Sequence, residues 1–299
     1  MARILAFGST GQLGVELIKA FGTRTDFIAL SRRDVDMTDE RALRSAIRSA
    51  APEIIVNAAA YTAVDRAESE PDLAHTLNAR APKAMAEEAL DLDAWLLHFS
   101  TDYVFDGTGR IPWRETDAPN PLNVYGKTKL EGELAIASTG CRHLIFRTSW
   151  VYAAHGINFL RTMLRLACER HELNIVDDQI GSPTSAIEIA RAVQRVLVRL
   201  EDPDSGPPAS GVYHMTCRGT TSWFGFACEI FVTAPRHYPR PKLLPIPSER
   251  YPTPAARPHN SVLNCEKLER ITGIRLAHWR DALREVMDEV VAREHNEAD

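Results

Sequence analysis

The sequence predicts an α/β fold, a doubly wound parallel sheet followed by a smaller and less regular lobe, on two observations. Short apolar runs of strand length alternate with segments of helical period through the first 150 residues. Repeated βα units of this kind build a parallel sheet. Beyond that point the alternation loosens and prolines gather in "EDPDSGPPASG" and "YPRPKLLPIPSERYPTPAARP", which predicts ordered loops and extended segments in place of regular sheet.

Each element has a local reason. "RILAF" (3–7) is a buried parallel strand by length, followed by a glycine loop and the helical pattern "VELIKAF". "DFIAL" (26–30), "EIIVNA" (53–58), "AWLLHFS" (94–100) and "HLIFRTSW" (143–150) supply further strands. Helices are expected over roughly 38–49 and 72–91, and another beginning near Pro121 or Asn123 carries "NVYGKTKLEGE". Later helices are expected near 157–171 and 184–200. Residues 1–150 are therefore read as one domain and 151–299 as a second lobe, with the helix and strand near 184–215 free to return to the first sheet.

Composition narrows the function classes. The 299 residues are 44% hydrophobic and 25% charged, ordinary for a soluble globular chain. A net charge of -5 without basic runs excludes the footprint that phosphate-backbone binding requires, so nucleic acid is not an expected partner. No apolar stretch reaches spanning length, so no membrane partner is expected either. Five scattered cysteines, none in C-x-x-C spacing, fit free thiols in a reducing cytoplasm.

Gly8, Gly11 and Gly14 form "GSTGQLG" between a strand and a helix. At the first βα turn of a Rossmann-type sheet, such glycines let a pyrophosphate meet backbone amides and a helix N-terminus. At the end of the second strand an acidic residue would select NAD and a basic one NADP. Here Ser31, Arg32 and Arg33 precede the first carboxylate, Asp34, so NADPH is the expected cofactor, with NADH left open. Asp36 and Met37 stand where an adenine can be covered.

Tyr125 and Lys129, four residues apart, share one helix face. A phenol titrates near 10 unless a nearby cation favours the phenolate, and Lys129 is placed to supply that cation. Upstream, Ser100, Thr101 and Asp102 end the fourth strand on the side where parallel-sheet ligands bind. Thr101 would bond a substrate oxygen and Tyr125 protonate it, while Lys129 holds the charge and a nicotinamide delivers hydride to the carbon.

In this order the motifs resemble the extended short-chain dehydrogenase/reductases and, within that superfamily, the dTDP-4-dehydrorhamnose reductase family. The segments "GSTGQLG", "VNAAAYTAVDRAESEP", "STDYVFDG", "PLNVYGKTKLEGE", "LIFRTSWVYA", "DDQIGSPT", "GVYHMTCRGTTSW" and "YPTPAARPHNSVLN" carry the resemblance nearly end to end. It implies reduction of a C4 keto group on a nucleotide-sugar substrate. It also implies cofactor contacts from Gly11, Gln12, Leu13, Asp36, Met37, Ala60, Tyr61 and Thr62, with Tyr125 and Lys129 at the nicotinamide ribose. Thr101, Asp102 and Trp150 would meet the sugar nucleotide. Some relatives carry aspartate where this chain has Ser31, a departure that puts NADH as preferred cofactor in doubt. Others dimerise through glutamates on magnesium; Glu16 is the one match, and it reads either as such a ligand in a homodimer or as an exposed helix glutamate.

Further residues keep two readings. Trp150 is core or a stacking surface, and Arg257 neutralises a pyrophosphate or sits in an exposed loop. His98 and His214 read as core histidines, and no group of histidines and carboxylates has catalytic-metal spacing. Two other functions share the superfamily resemblance: a nucleotide-sugar epimerase or dehydratase that retains its NAD, and a non-catalytic subunit like the regulatory subunit of methionine adenosyltransferase.

Overall fold

The computed structural model describes residues 2–202 and 206–298. Pro203, Asp204 and Ser205, part of the first proline-rich stretch, lie outside the described residues, as does Asp299 of the acidic terminus.

The first half runs β1 (Ile4–Phe7), α1 (Gln12–Phe21), β2 (Phe27–Leu30), α2 (Glu40–Ala50), β3 (Ile54–Asn57), α3 (Val64–Ala67), α4 (Pro71–His75), α5 (Ala81–Asp91), β4 (Trp95–Thr101), α6 (Val124–Thr139) and β5 (Arg142–Thr148). The second half runs β6 (Val151–Tyr152), α7 (Phe159–Glu169), β7 (Glu172–Val176), β8 (Ile180–Gly181), β9 (Thr184–Ser185), α8 (Ala186–Glu201), β10 (Gly211–His214), β11 (Thr221–Ser222), α9 (Trp223–Thr233), β12 (Lys242–Ile246), α10 (Glu266–Thr272) and α11 (Trp279–Ala298).

Six strands form one parallel sheet in the order β10-β5-β4-β3-β1-β2. The order reverses at β1 and β3, the kind of switch point whose carboxyl-end crevice takes ligands in open α/β sheets. β1 and β3 are buried along their whole length, as strands covered on both faces must be. On α1, Leu13, Leu17 and Phe21 recur every four residues and are buried against the sheet. Burying each such side chain contributes about 1.5–3 kcal/mol. β10 extends the sheet beside β5, and α8 leads into it.

Two segments depart from expectation. The helix expected over 72–91 is interrupted by a wide turn, Thr76–Arg80, closed by the Ala81 N–H on the Thr76 carbonyl. An α-helix would need Pro82 to donate to Asn78, but proline has no N–H and its ring crowds that carbonyl, so the chain widens there. The proline-rich stretch after residue 238 does make regular sheet: β12 pairs in parallel with β7, with Pro245 inside the ladder. A two-stranded ladder leaves each strand a free edge, where a missing N–H is tolerated.

Candidate active site

A cleft of about 700 Å³ opens at the carboxyl ends of β1 to β5. Its floor is the glycine turn. Gly8 holds φ +86°, a left-handed conformation, and a Cβ there would stand 2.7 Å from Ala59 N. A Cβ on Gly14 would stand 2.0 Å from the Gly8 carbonyl, so Gly14 serves the close packing of α1 on the turn and does not itself line the cleft. Gly8, Gly11, Gln12 and Leu13 do line it.

Along one side lie Ser31, Arg32, Asp36 and Met37, and beyond β3 lie Ala60, Tyr61 and Thr62. The Asp34 carboxylate is turned back on its own loop, accepting from Ser31 Oγ at 2.6 Å and Ser31 N at 2.8 Å. The first acidic group after β2 is thus engaged locally, while Arg32 faces the cleft. Asp36 accepts from the Thr38 amide and hydroxyl, which hold its carboxyl below the usual range.

Thr101, Asp102, Tyr125 and Lys129 also line the cleft and are brought together from β4 and α6. Asn123 caps α6, accepting from Gly126 N at 2.8 Å, so the helix begins one residue before the tyrosine. Burial pushes the Tyr125 hydroxyl up to about 12, against the pull of the Thr101 hydroxyl. Burial lowers Lys129 to about 8, with Glu133 acting in the other direction. The lysine donates to the Phe99 carbonyl at 2.6 Å and meets His98 Nε2 at 3.1 Å. Its bonds run to β4 rather than to the phenol. Asp102 is buried, and burial lifts its carboxyl to about 6 while the Ser261 and Thr101 hydroxyls pull it down.

The support behind this wall was not singled out in the sequence. Asn78, carried inward by the wide turn, accepts from Tyr61 N at 2.9 Å and donates to Tyr61 O and Thr128 Oγ1 at 3.1 Å each, joining the cleft wall to α6. Glu133 and Arg147 form a buried pair at 2.6 Å, and Ser100 donates to the same carboxylate. Removing one partner of such a pair typically costs about 3–5 kcal/mol. "LNA" and "LEGE" look like unremarkable helix text, so only the contacts reveal these residues.

Trp150 lines the cleft with φ +49°, and its indole stacks on Trp223 with centroids 3.5 Å apart and planes 7° off parallel. Trp223, also a lining residue, stands at the end of the quoted segment "GVYHMTCRGTTSW" but was not named as a site residue. Arg257 is placed outside the cleft lining, donating to Asp65 at 2.8 Å. His98 is fully buried as expected of a core histidine, yet it touches Lys129. His214 is likewise buried.

Glu16 corrects the expectation of an exposed helix glutamate: it is 4% exposed. Glu16, His155 and Glu289 bring ligand atoms within 4.8 Å of one another, a grouping that spacing in the sequence did not suggest. Lys19 donates to both carboxylates, at 2.8 Å for Glu16. The chain's own ammonium already neutralises the pair, so these residues do not fit a magnesium ion within one chain. No helix among the described residues is long and apolar enough to cross a membrane.

Comparison with known proteins places this architecture. The model of the RmlD substrate binding domain matches residues 2–292. A dTDP-4-dehydrorhamnose reductase of Escherichia coli K12 is 46% identical over 296 residues, covering 96% of this chain and 97% of that protein. The crystal structure of a dTDP-4-dehydrorhamnose reductase from Clostridium acetobutylicum is similar with a TM-score of 0.89 at 38% identity, covering 96% of this chain and 99% of that one. That of a Bacillus anthracis dTDP-4-dehydrorhamnose reductase in complex with NADP follows at 0.88 and 32%, with the same coverage.

Proposed function

The chain belongs to the RmlD substrate binding domain family, and from that premise we propose that it catalyses the NADPH-dependent reduction of the C4 keto group of dTDP-4-dehydro-L-rhamnose, forming dTDP-L-rhamnose. The observation that carries the reading is the wall on which Thr101, Tyr125 and Lys129 meet beside the glycine turn.

The cleft suits a dinucleotide. Gly8 and Gly11 line the cleft where backbone amides would meet a pyrophosphate, with Gln12 and Leu13 at the start of α1. Of these lining residues, Arg32 would hold the 2'-phosphate, joined by Ser31 once its hydroxyl leaves Asp34, with Asp36 and Met37 covering the adenine and Ala60, Tyr61 and Thr62 along the other edge. Lys129 and Tyr125 would hold the nicotinamide ribose. When bound, NADPH supplies the hydride that C4 receives.

The chain's residues then handle the oxygen and its proton. Thr101 donates to the keto oxygen, and Tyr125 transfers its hydroxyl proton as charge develops there, leaving a phenolate that regains a proton before the next turnover. A phenol held near 12 carries its proton at neutral pH, so the proton is in place before charge develops on the keto oxygen. Asp102 and Trp150 contact the sugar nucleotide. Arg257 would have to leave Asp65 to reach its phosphates. The intact Thr101, Tyr125 and Lys129 set favours an enzyme over a non-catalytic subunit.

Cytoplasmic residence and a homodimer complete the reading, the latter checked by light scattering. The deciding experiment measures NADPH consumption with dTDP-4-dehydrorhamnose generated in place by the preceding epimerase, against the UDP counterpart. Turnover with the dTDP sugar is expected. Its absence, or purified protein carrying stoichiometric NAD, would overturn the reading.

A further inference from the structure

Trp150 lines the cleft at φ +49°, a left-handed conformation that residues with a side chain rarely adopt, so its surroundings must specify where the indole goes. One face of the ring is covered by Trp223, with centroids 3.5 Å apart and planes 7° off parallel. The other is covered by Gly181. A Cβ at Gly181 would stand 2.5 Å from Trp150 Cε2 and 2.8 Å from each of that atom's neighbours, Cζ2 and Nε1. Such even reach to three adjoining ring atoms, with the middle one nearest, puts that point above the plane of the indole and not beyond its rim. Were Trp223 on the same face, its ring atoms would be closer still to that point, yet the three nearest atoms all belong to Trp150. The indole is therefore held between a glycine backbone and a second indole, and only the absence of a side chain at Gly181 makes room for it.

Both jaws belong to one small ladder. Gly181 of β8 pairs with Thr221 of β11, and Trp223 follows at the start of α9. Trp223 is itself anchored, donating from Nε1 to Gln179 Oε1 at 3.2 Å, with the Phe159 ring 4.6 Å away on centroids. The ladder also reaches Asp102: the Ile180 carbonyl accepts from Ser261 N at 2.8 Å, and the Ser261 hydroxyl bonds the Asp102 carboxyl.

We propose that Gly181 and Trp223 are positioning residues of the reductase site, forming a slot that holds Trp150 with both faces occupied, so that it meets the sugar nucleotide through its rim and not by stacking. The inference rests on the proposed reading of Trp150 as a sugar-nucleotide contact. The rim is the electropositive part of an aromatic ring and carries the indole N–H, which bonds no protein atom among the described residues. That chemistry suits the hydroxyl and phosphate oxygens of a sugar nucleotide, whereas an open face would suit a base or the apolar side of a sugar ring.

The test combines kinetics with 15N–1H correlation of the indole groups on the full-length protein, whose five tryptophans give five signals. The Trp150 signal is assigned by its loss in Trp150→Phe. Trp223→Ala removes one jaw, and Gly181→Ala pushes on the opposite face without touching Trp223. Each should move the Trp150 signal and raise KM for the dTDP sugar about tenfold, the scale of one lost aromatic contact, with a smaller change in kcat and NADPH affinity unchanged. Trp223→Phe, which keeps an aromatic face, should return KM toward wild type. In a Trp150→Ala background, Trp223→Ala should raise KM no further, because Trp223 acts through Trp150. Additive effects in that cycle, an unchanged KM, or an equal loss of NADPH binding would overturn the proposal, as would a Trp150 signal that neither substitution moves. A chain that turns over no dTDP sugar would remove the proposed function, while the indole signals would still decide whether the slot holds Trp150.

Discussion

On one side of β3 the floor of the cleft is the backbone of a glycine turn, with Arg32 and Asp36 beyond it, and on the other side the wall is made of buried side chains. The glycine turn after β1 offers amides and space, needs no shifted titratable group, and depends on the absence of Cβ atoms at Gly8 and Gly14. The wall formed by β4 and α6 is different in kind: Asp102, Tyr125 and Lys129 are all displaced from their ordinary titration by burial before anything else. On the proposed reading, the difference teaches that binding and proton transfer are supplied by separate physics. Steric permission serves the first and desolvation the second.

That division can be broken most directly at Tyr125. Tyr125→Phe removes one hydroxyl and keeps the ring, so kcat should fall about 10²–10⁴-fold, the usual worth of a positioned general acid, while NADPH affinity measured by fluorescence titration barely changes. A loss confined to NADPH binding would erase the distinction between the walls.

Asp102→Asn addresses desolvation itself. The folded carboxyl titrates near 6, above its unfolded value, so its contribution to stability is fully present below the unfolded value and disappears as pH rises through 6. A neutral amide escapes that penalty. Urea denaturation should find the variant more stable than wild type by up to about 3 kcal/mol near pH 8, with the difference vanishing below about pH 4. An equal difference at both pH values would show that burial does not govern this wall.

Gly14→Ala probes steric permission, since its methyl would press on the Gly8 carbonyl. A stability loss of about 1–3 kcal/mol in thermal denaturation is expected, with weakened NADPH binding and kcat retained at saturation. Arg32→Ala should have the smallest effect, an about tenfold fall in kcat/KM for NADPH with NADH unchanged, consistent with loss of one charge-assisted contact. Equal falls for both cofactors would assign Arg32 a general role in place of a 2'-phosphate contact.

Much of this was legible beforehand for local reasons. The βα alternation, the glycine turn and the Tyr125–Lys129 spacing depend on neighbours within a few residues, where hydrophobic period and helix geometry act directly. The start of α6 was placed near Pro121 or Asn123, and the structure shows Asn123 as its cap. The wide turn was hidden although its cause, Pro82, was in plain view, because a proline inside a helical pattern does not say whether the helix ends, kinks or widens. Of the two readings of Glu16 the exposed one failed because, although Lys19 is one helical turn away, nothing near it in sequence announces His155 and Glu289 closing over it.

The sequence by itself determined the parallel sheet, the place of the glycine turn and the setting of Tyr125 and Lys129 on one helix face, since each depends on period, spacing and side-chain chemistry along the chain. Only the tertiary structure decided the protonation landscape around them. It set Asn57 and His98 behind Lys129, Asn78 behind Tyr61, Trp223 against Trp150, and Arg147 on Glu133. Desolvation and hydrogen-bond direction depend on which atoms surround a group, and those neighbours come from strands and helices tens of residues apart.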